Sequence, residues 1–160
     1  MFQQATERDP KNPRLWLEVA YAREREHDLP GAEAAARQTL GFEPGNTQAL
    51  NFLGYLFADH NVKLDQAVPL IQKALELDPD NPYYIDSLGW AYFRLGRLEE
   101  ARGQLERAVR LGAEESEVLE HLGDVDLALD RKGEAKSNYT KALQLDPTRG
   151  ELVRKLEALR

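Results

Sequence analysis

The chain has 160 residues, no cysteine and a formal net charge of −7. These values exclude disulfides and thiolate chemistry, and they weigh against nucleic acid, whose phosphates call for clustered Lys and Arg. The charge is spread along the sequence rather than gathered in a tail, and no apolar run approaches the roughly 20 residues that span a bilayer.

Proline sets a register for the elements. Pro10, Pro44, Pro79 and Pro147 stand 34, 35 and 68 residues apart, and the skipped mark falls at Ala113. Counting back from Pro10, Phe2 and Ala5 take the places that Ala36 and Thr39 hold one copy later. Residues 1–10 are therefore expected to be a second helix without its first, and the chain a piece of a longer array. Copy one, 12–44, opens on Asn12-Pro13, a cap followed by proline at the first helical position, and turns at His27–Gly31. Copy two, 46–79, carries one extra residue around His60, Asn61 and Val62, and Pro69 lies inside its second helix, where a bend or ragged first turn is expected. Copy three, 81–113, opens on Asn81-Pro82 and breaks at Gly96; copy four, 115–147, turns at Asp130–Gly133. Residues 148–160 close the chain. Thr148 and Glu151 have capping-box spacing, and Leu152, Leu156 and Leu159 share one face, as a terminal cap requires.

Within each copy two apolar stripes follow the 3.6-residue period. The first-helix stripe is Trp16, Val19, Ala20, Arg23, then Leu50, Leu53, Gly54, Phe57, then Ile85, Leu88, Gly89, Tyr92, then Leu119, Leu122, Gly123, Asp126. The second-helix stripe is Ala32, Ala36, Thr39, then Ala67, Ile71, Ala74, then Ala101, Leu105, Ala108, then Ala135, Tyr139, Ala142. Such helix pairs, with large-small-large packing residues and a terminal proline, resemble the tetratricopeptide repeat family over essentially the whole chain. The departures are Arg23 and Asp126 at an aromatic or apolar position, Ala113 for proline, and the extra residue in copy two. The resemblance implies an all-α fold, an α-solenoid of stacked helix-turn-helix repeats coiled into a right-handed superhelix. The run from Asn51 to Ala101 looks most like bacterial repeat proteins, some of which are envelope lipoproteins serving as adaptors or assembly factors. That likeness makes a bacterial cytoplasmic or periplasmic chain the expectation.

Function is expected on the face of the first helices that points away from the core. A face of that kind should be polar, yet it holds Tyr21, Phe52, Tyr55, Tyr83, Trp90 and Phe93, six of the 13 aromatics. Acids accompany them: Glu18, Asp59, Asp86, Glu117, Glu120 and Asp124. The outer faces of the second helices are charged instead, with Glu99, Arg102, Glu106 and Arg110 in copy three. In the resembling family the first helices line a concave groove that holds peptide segments of partners. The expected binding residues are Glu18, Tyr21, Asn51, Phe52, Tyr55, Asp59, Asp86, Trp90, Phe93, Arg94, Glu120 and Asp124. The expected partner is a protein or peptide with apolar and basic side chains. The chaperone-tail binders of the family grip a carboxylate with Lys, Asn and Arg; of these only Asn51 stands at a comparable place, so that ligand is not expected.

Other chemistry finds no support. His27 and His60 fall in turns, and His121 sits among acids that are expected to be solvated, so no metal site is expected. Asp124, Asp126 and Asp130 lack calcium-loop spacing. The sequon at Asn138 runs through Tyr139, a core position. No phosphate loop or nucleophile set exists, so neither catalysis nor a cofactor is expected. The sequence thus points to a protein-interaction scaffold without catalysis, nucleic acid or membrane insertion. Its alternatives are a module that self-associates through the half repeat or the aromatic face, or a substrate-recruiting domain of a larger enzyme.

Overall fold

The computed structural model describes residues 9–159. The expected half repeat of Phe2 and Ala5 lies outside the described residues. Among them are nine helices and no strand, an all-α helical-repeat fold of the solenoid class. The chain divides between Pro79 and Asp80 into two compact units.

The first unit holds α1 (Pro13–Arg25), α2 (Leu29–Phe42), α3 (Thr47–Asp59) and α4 (Leu64–Leu77). Asn12 and Asn46 cap α1 and α3, accepting from the Arg14 and Ala49 amides at 3.1 and 2.9 Å. Ala20, Ala32, Ala36, Leu53, Phe57, Ala67, Ile71 and Ala74 are sealed from solvent. Helices α1 and α2 pair, α3 and α4 pair, and α2 packs on α3. Helix α4 runs unbroken through Pro69, so the expected ragged turn is not seen.

The second unit holds α5 (Pro82–Arg94), α6 (Leu98–Arg110), α7 (Ser116–Ala128), α8 (Lys132–Leu145) and α9 (Gly150–Glu157). Asn81 caps α5 through the Tyr83 and Tyr84 amides. Ile85, Leu105, Val125, Tyr139 and Leu152 are fully buried. Leu152 of α9 joins Leu119, Ala135, Tyr139 and Ala142 in one cluster, with Leu156 and Leu159 against it, so the closing helix covers α8 with its apolar face. The expected capping box does not form. Asp146 takes both the Thr148 amide, at 3.0 Å, and its hydroxyl, at 2.6 Å, and the helix starts later, with Arg149 at its N-cap.

One turn recurs in both units. His27, Asn61, Gly96 and Asp130 all have positive φ, between 54° and 75°. Just after each of them an amide returns to the preceding helix: Asp28 to Arg23 O, Val62 to Phe57 O, Arg97 to Tyr92 O and Arg131 to Asp126 O, all at 2.8–2.9 Å. This left-handed stop with a back-bond satisfies carbonyls that the helix end would otherwise orphan. The extra residue of the second copy is absorbed directly after it, where Lys63 is also left-handed, at φ 46°.

Candidate functional site

In three of the four helix pairs a glycine faces a large residue. A Cβ on Gly54 would stand 2.6 Å from Ile71 Cγ1, one on Gly89 2.7 Å from Leu105 Cγ, and one on Gly123 2.4 Å from the Tyr139 ring. With the stripes locked inward in this way, the rotation of each first helix fixes what its other face presents.

In the first unit that face forms a crevice of about 200 Å³ lined by Tyr21, Glu24, Phe52, Tyr55, Leu56, Asp59 and His60. The Tyr21 and Phe52 rings meet edge to face, with centroids 4.9 Å apart and planes at 79°, an arrangement aromatic pairs favour. Tyr55 is half-buried, while Asp59 and His60 are exposed. Glu18 is exposed and lines an open space of about 320 Å³ with Tyr21, Glu24 and Arg25. Tyr21, Phe52, Tyr55 and Asp59 are thus brought together, with Glu18 beside them. Asn51 lies on the same helix, but its Oδ1 is buried without a hydrogen-bond partner among the described residues.

The second unit differs from expectation. Asp86, Trp90 and Glu120 were expected on an open face; they are 7%, 8% and 7% exposed. The cover for the first two is His121, from the next first helix. Its ring stacks on Trp90 at 4.2 Å and 16°, and its Nδ1 lies 3.0 Å from Asp86 Oδ1. Phe93 and Arg94 remain half-buried on the other side of Trp90, Phe93 stacked at 5.0 Å and the Arg94 guanidinium 5.6 Å from the ring centroid. Glu120 and Asp124 are not free acids. Helix α9 sets Lys155 Nζ 2.7 Å from Glu120 and 2.5 Å from Asp124, and Arg149 also pairs with Glu120. Tyr139 donates to Asp124 at 2.7 Å. Of the four acids expected on this face of the second unit, Glu120 and Asp124 are therefore answered by cations of the chain itself.

Burial by itself would lower the His121 pKa. The Asp86 carboxylate, by charge and hydrogen bond, outweighs it with help from Glu117 and Asp124, and the imidazole titrates above the usual histidine range. A native value raised above the unfolded one gives stability that is full below the unfolded pKa and lost as pH rises through the native one. The unfolding free energy of residues 80–159 is therefore expected to fall as pH rises from about 6.5. Asp86→Asn should flatten that slope, and an NMR titration of the His121 ring protons checks the midpoint.

Sequence reasoning passed over Glu24, His60 and His121 as site residues. Glu24 was legible as one helical turn beyond Tyr21. His60 was given to a turn, and His121 acts through a helix 31 residues away from Trp90. Among the described residues, no group of three or more potential metal ligands is poised to hold an ion, and no helix is long and apolar enough to cross a membrane.

Three family models described as tetratricopeptide repeat match the chain, one over residues 1–46 and 27–82, one over 62–124 and one over 116–149. A TPR repeat-containing protein of Pseudomonas aeruginosa is 36% identical over 100 residues, 62% of this chain; the chain spans only 17% of that relative's length. A thermophilic TPR protein of Thermus thermophilus superposes with a TM-score of 0.84 at 20% identity, covering 99% of this chain and 86% of the other. PilW, a type IV pilus biogenesis factor, superposes at 0.81 with 19% identity, covering 89% and 66%.

Proposed function

Since the chain belongs to the tetratricopeptide repeat family of protein-interaction scaffolds, we propose that it binds a peptide segment of a partner protein on its first-helix faces and performs no reaction on it. The supporting observation is the crevice at Tyr21, Phe52 and Tyr55, three rings gathered where a solvent face should be polar. Half-buried aromatics in a concavity are the usual anchors of recognition, because they lose much water contact for little conformational entropy. Phe93 and Arg94 present a smaller patch of the same kind in the second unit. Glu18, Glu24 and Asp59 add negative charge, which favours a segment carrying apolar and basic side chains.

A peptide selected from a randomised library on the immobilised chain tests this reading. Tyr55→Ala should weaken a peptide that meets the first unit by about tenfold, and Phe93→Ala one that meets the second, with far-UV circular dichroism unchanged. Affinity that survives both substitutions overturns the proposal.

A further inference from the structure

Arg94 closes α5 as Asp59 closes α3, at the same place in the repeat but with the opposite charge. Arg25 closes α1 at that place too, and its Nε donates to the Tyr21 carbonyl at 3.2 Å. The Arg94 side chain makes neither a hydrogen bond nor an ion pair among the described residues. Its guanidinium lies 5.6 Å from the ring centroid of Trp90, and that ring also stacks with Phe93 and His121. The indole adds a second donor: Trp90 Nε1 is buried and has no hydrogen-bond partner among the described residues. The acids on this face of the second unit already meet cations of the chain. Asp86 and Glu117 lie 3.0 and 4.0 Å from the His121 nitrogens, and Glu120 and Asp124 pair with Lys155.

We infer that Arg94 is the specificity determinant of the second unit, pairing with the side-chain carboxylate of a glutamate or aspartate in an internal segment of the partner, while an apolar neighbour of that acid lies on Phe93. The inference rests on the peptide-binding reading and deepens it: the second unit selects an acid, whereas the acids of the first favour a base. A guanidinium stacked on a ring still presents N–H groups along its edge, and a carboxylate accepts two of them in parallel. The stack on Trp90 and half-burial restrict the Arg94 side chain before the partner arrives, which lowers the entropy lost on pairing. An ionised carboxylate only accepts, so it suits a patch where the guanidinium and the indole are both donors without an acceptor. A lysine or arginine of the partner would instead bring a like charge to Arg94, which is costly.

The probes are acetyl-Ala-Leu-Glu-Leu-Ala-amide, its glutamine and lysine counterparts, and the glutamine peptide with a free C-terminus. Each is titrated into the 15N-labelled chain. Of its two indole signals, that of Trp16 belongs to a donor bonded at 2.8 Å to the Pro10 carbonyl, so the Trp90 indole reports on this patch. The glutamate peptide is expected to move the Trp90 indole and the Phe93 and Arg94 amides, and to bind about fivefold tighter than the glutamine peptide, with lysine the weakest. Arg94→Gln should erase the preference for glutamate, and Arg94→Lys, which keeps the charge without the fork, should retain part of it. Both changes fall at a half-buried helix end, and unchanged far-UV circular dichroism confirms that the chain still folds. Glutamine or lysine bound as tightly as glutamate, a preference that survives Arg94→Gln, shifts centred elsewhere, or no shifts at all overturns the assignment. Tighter binding of the free C-terminus than of glutamate overturns it in favour of a site for chain ends. A library peptide that loses affinity on Phe93→Ala but not on Arg94→Gln also overturns it, yet leaves the peptide-binding reading intact. Failure to select any peptide removes both.

Discussion

Arg102→Met is expected to destabilise residues 80–159 by about 3 kcal/mol. Asp126 stands where the repeat pattern has an apolar or aromatic residue, and its side chain is 1% exposed. Two donors meet it inside the unit: Arg102 Nε lies 2.8 Å from Oδ1, and Asn138 Nδ2 lies 2.8 Å from Oδ2. Arg102 is itself held charged by that hydrogen bond, against the opposing effect of burial. Methionine keeps the stem of the side chain and its packing but leaves a buried carboxylate with one neutral donor, and a charge stranded in this way costs far more than the pair gains. The double change Arg102→Met with Asp126→Leu removes both charges and should recover most of the loss. Amide hydrogen exchange in α6–α8 reads the local free energy directly. If Arg102→Met costs no more than an exposed ion pair, under about 1 kcal/mol, then Asp126 is solvated and its burial plays no part.

The second large effect is expected at the ring that fills the space over Gly123. Tyr139 is fully buried, and truncating a buried aromatic to alanine costs about 3–5 kcal/mol through lost burial and the cavity left behind. Its hydroxyl donates to Asp124, and burial with that carboxylate beside it pushes its pKa up. Tyr139→Phe isolates the hydrogen bond and should cost about 1 kcal/mol. Gly123→Ala would place a methyl 2.4 Å from the ring, and overpacking of that kind costs about 1–3 kcal/mol, partly offset by about 1 kcal/mol of helix propensity. In a Tyr139→Leu background the same alanine should be tolerated, and the coupling between the two sites measures the contact. Additive effects would mean that glycine and ring do not set the approach of α7 and α8.

Most of the fold was legible because its determinants repeat. The apolar stripes, the asparagine caps and the glycines at Gly54, Gly89 and Gly123 recur at nearly constant spacing, so one copy teaches the next. The turns were legible only in part. Gly96 announces a left-handed residue, whereas His27, Asn61 and Asp130 adopt the same conformation with side chains that merely tolerate it. The candidate site was legible in the first unit, where Tyr21, Phe52, Tyr55 and Asp59 gather as their helical positions imply. It was less so in the second, because a helical wheel treats each helix alone. The cover on Trp90 and Asp86 comes from His121, and the answer to Glu120 comes from Lys155, 35 residues on in sequence. Those contacts run between successive helices, where the sequence period gives the neighbour but not the side-chain pairing. The missed capping box has a local cause: Asp146 competes successfully for the Thr148 donors.

Partners are expected to meet the first helices and not the second. Mapping the library-selected peptide by amide chemical shifts on the labelled chain tests that most directly. Shifts are expected in α1 and α3 around Tyr21, Phe52 and Tyr55 for a peptide that meets the first unit, or in α5 around Phe93 and Arg94 for one that meets the second. Shifts confined to α2, α4, α6 and α8 would contradict it.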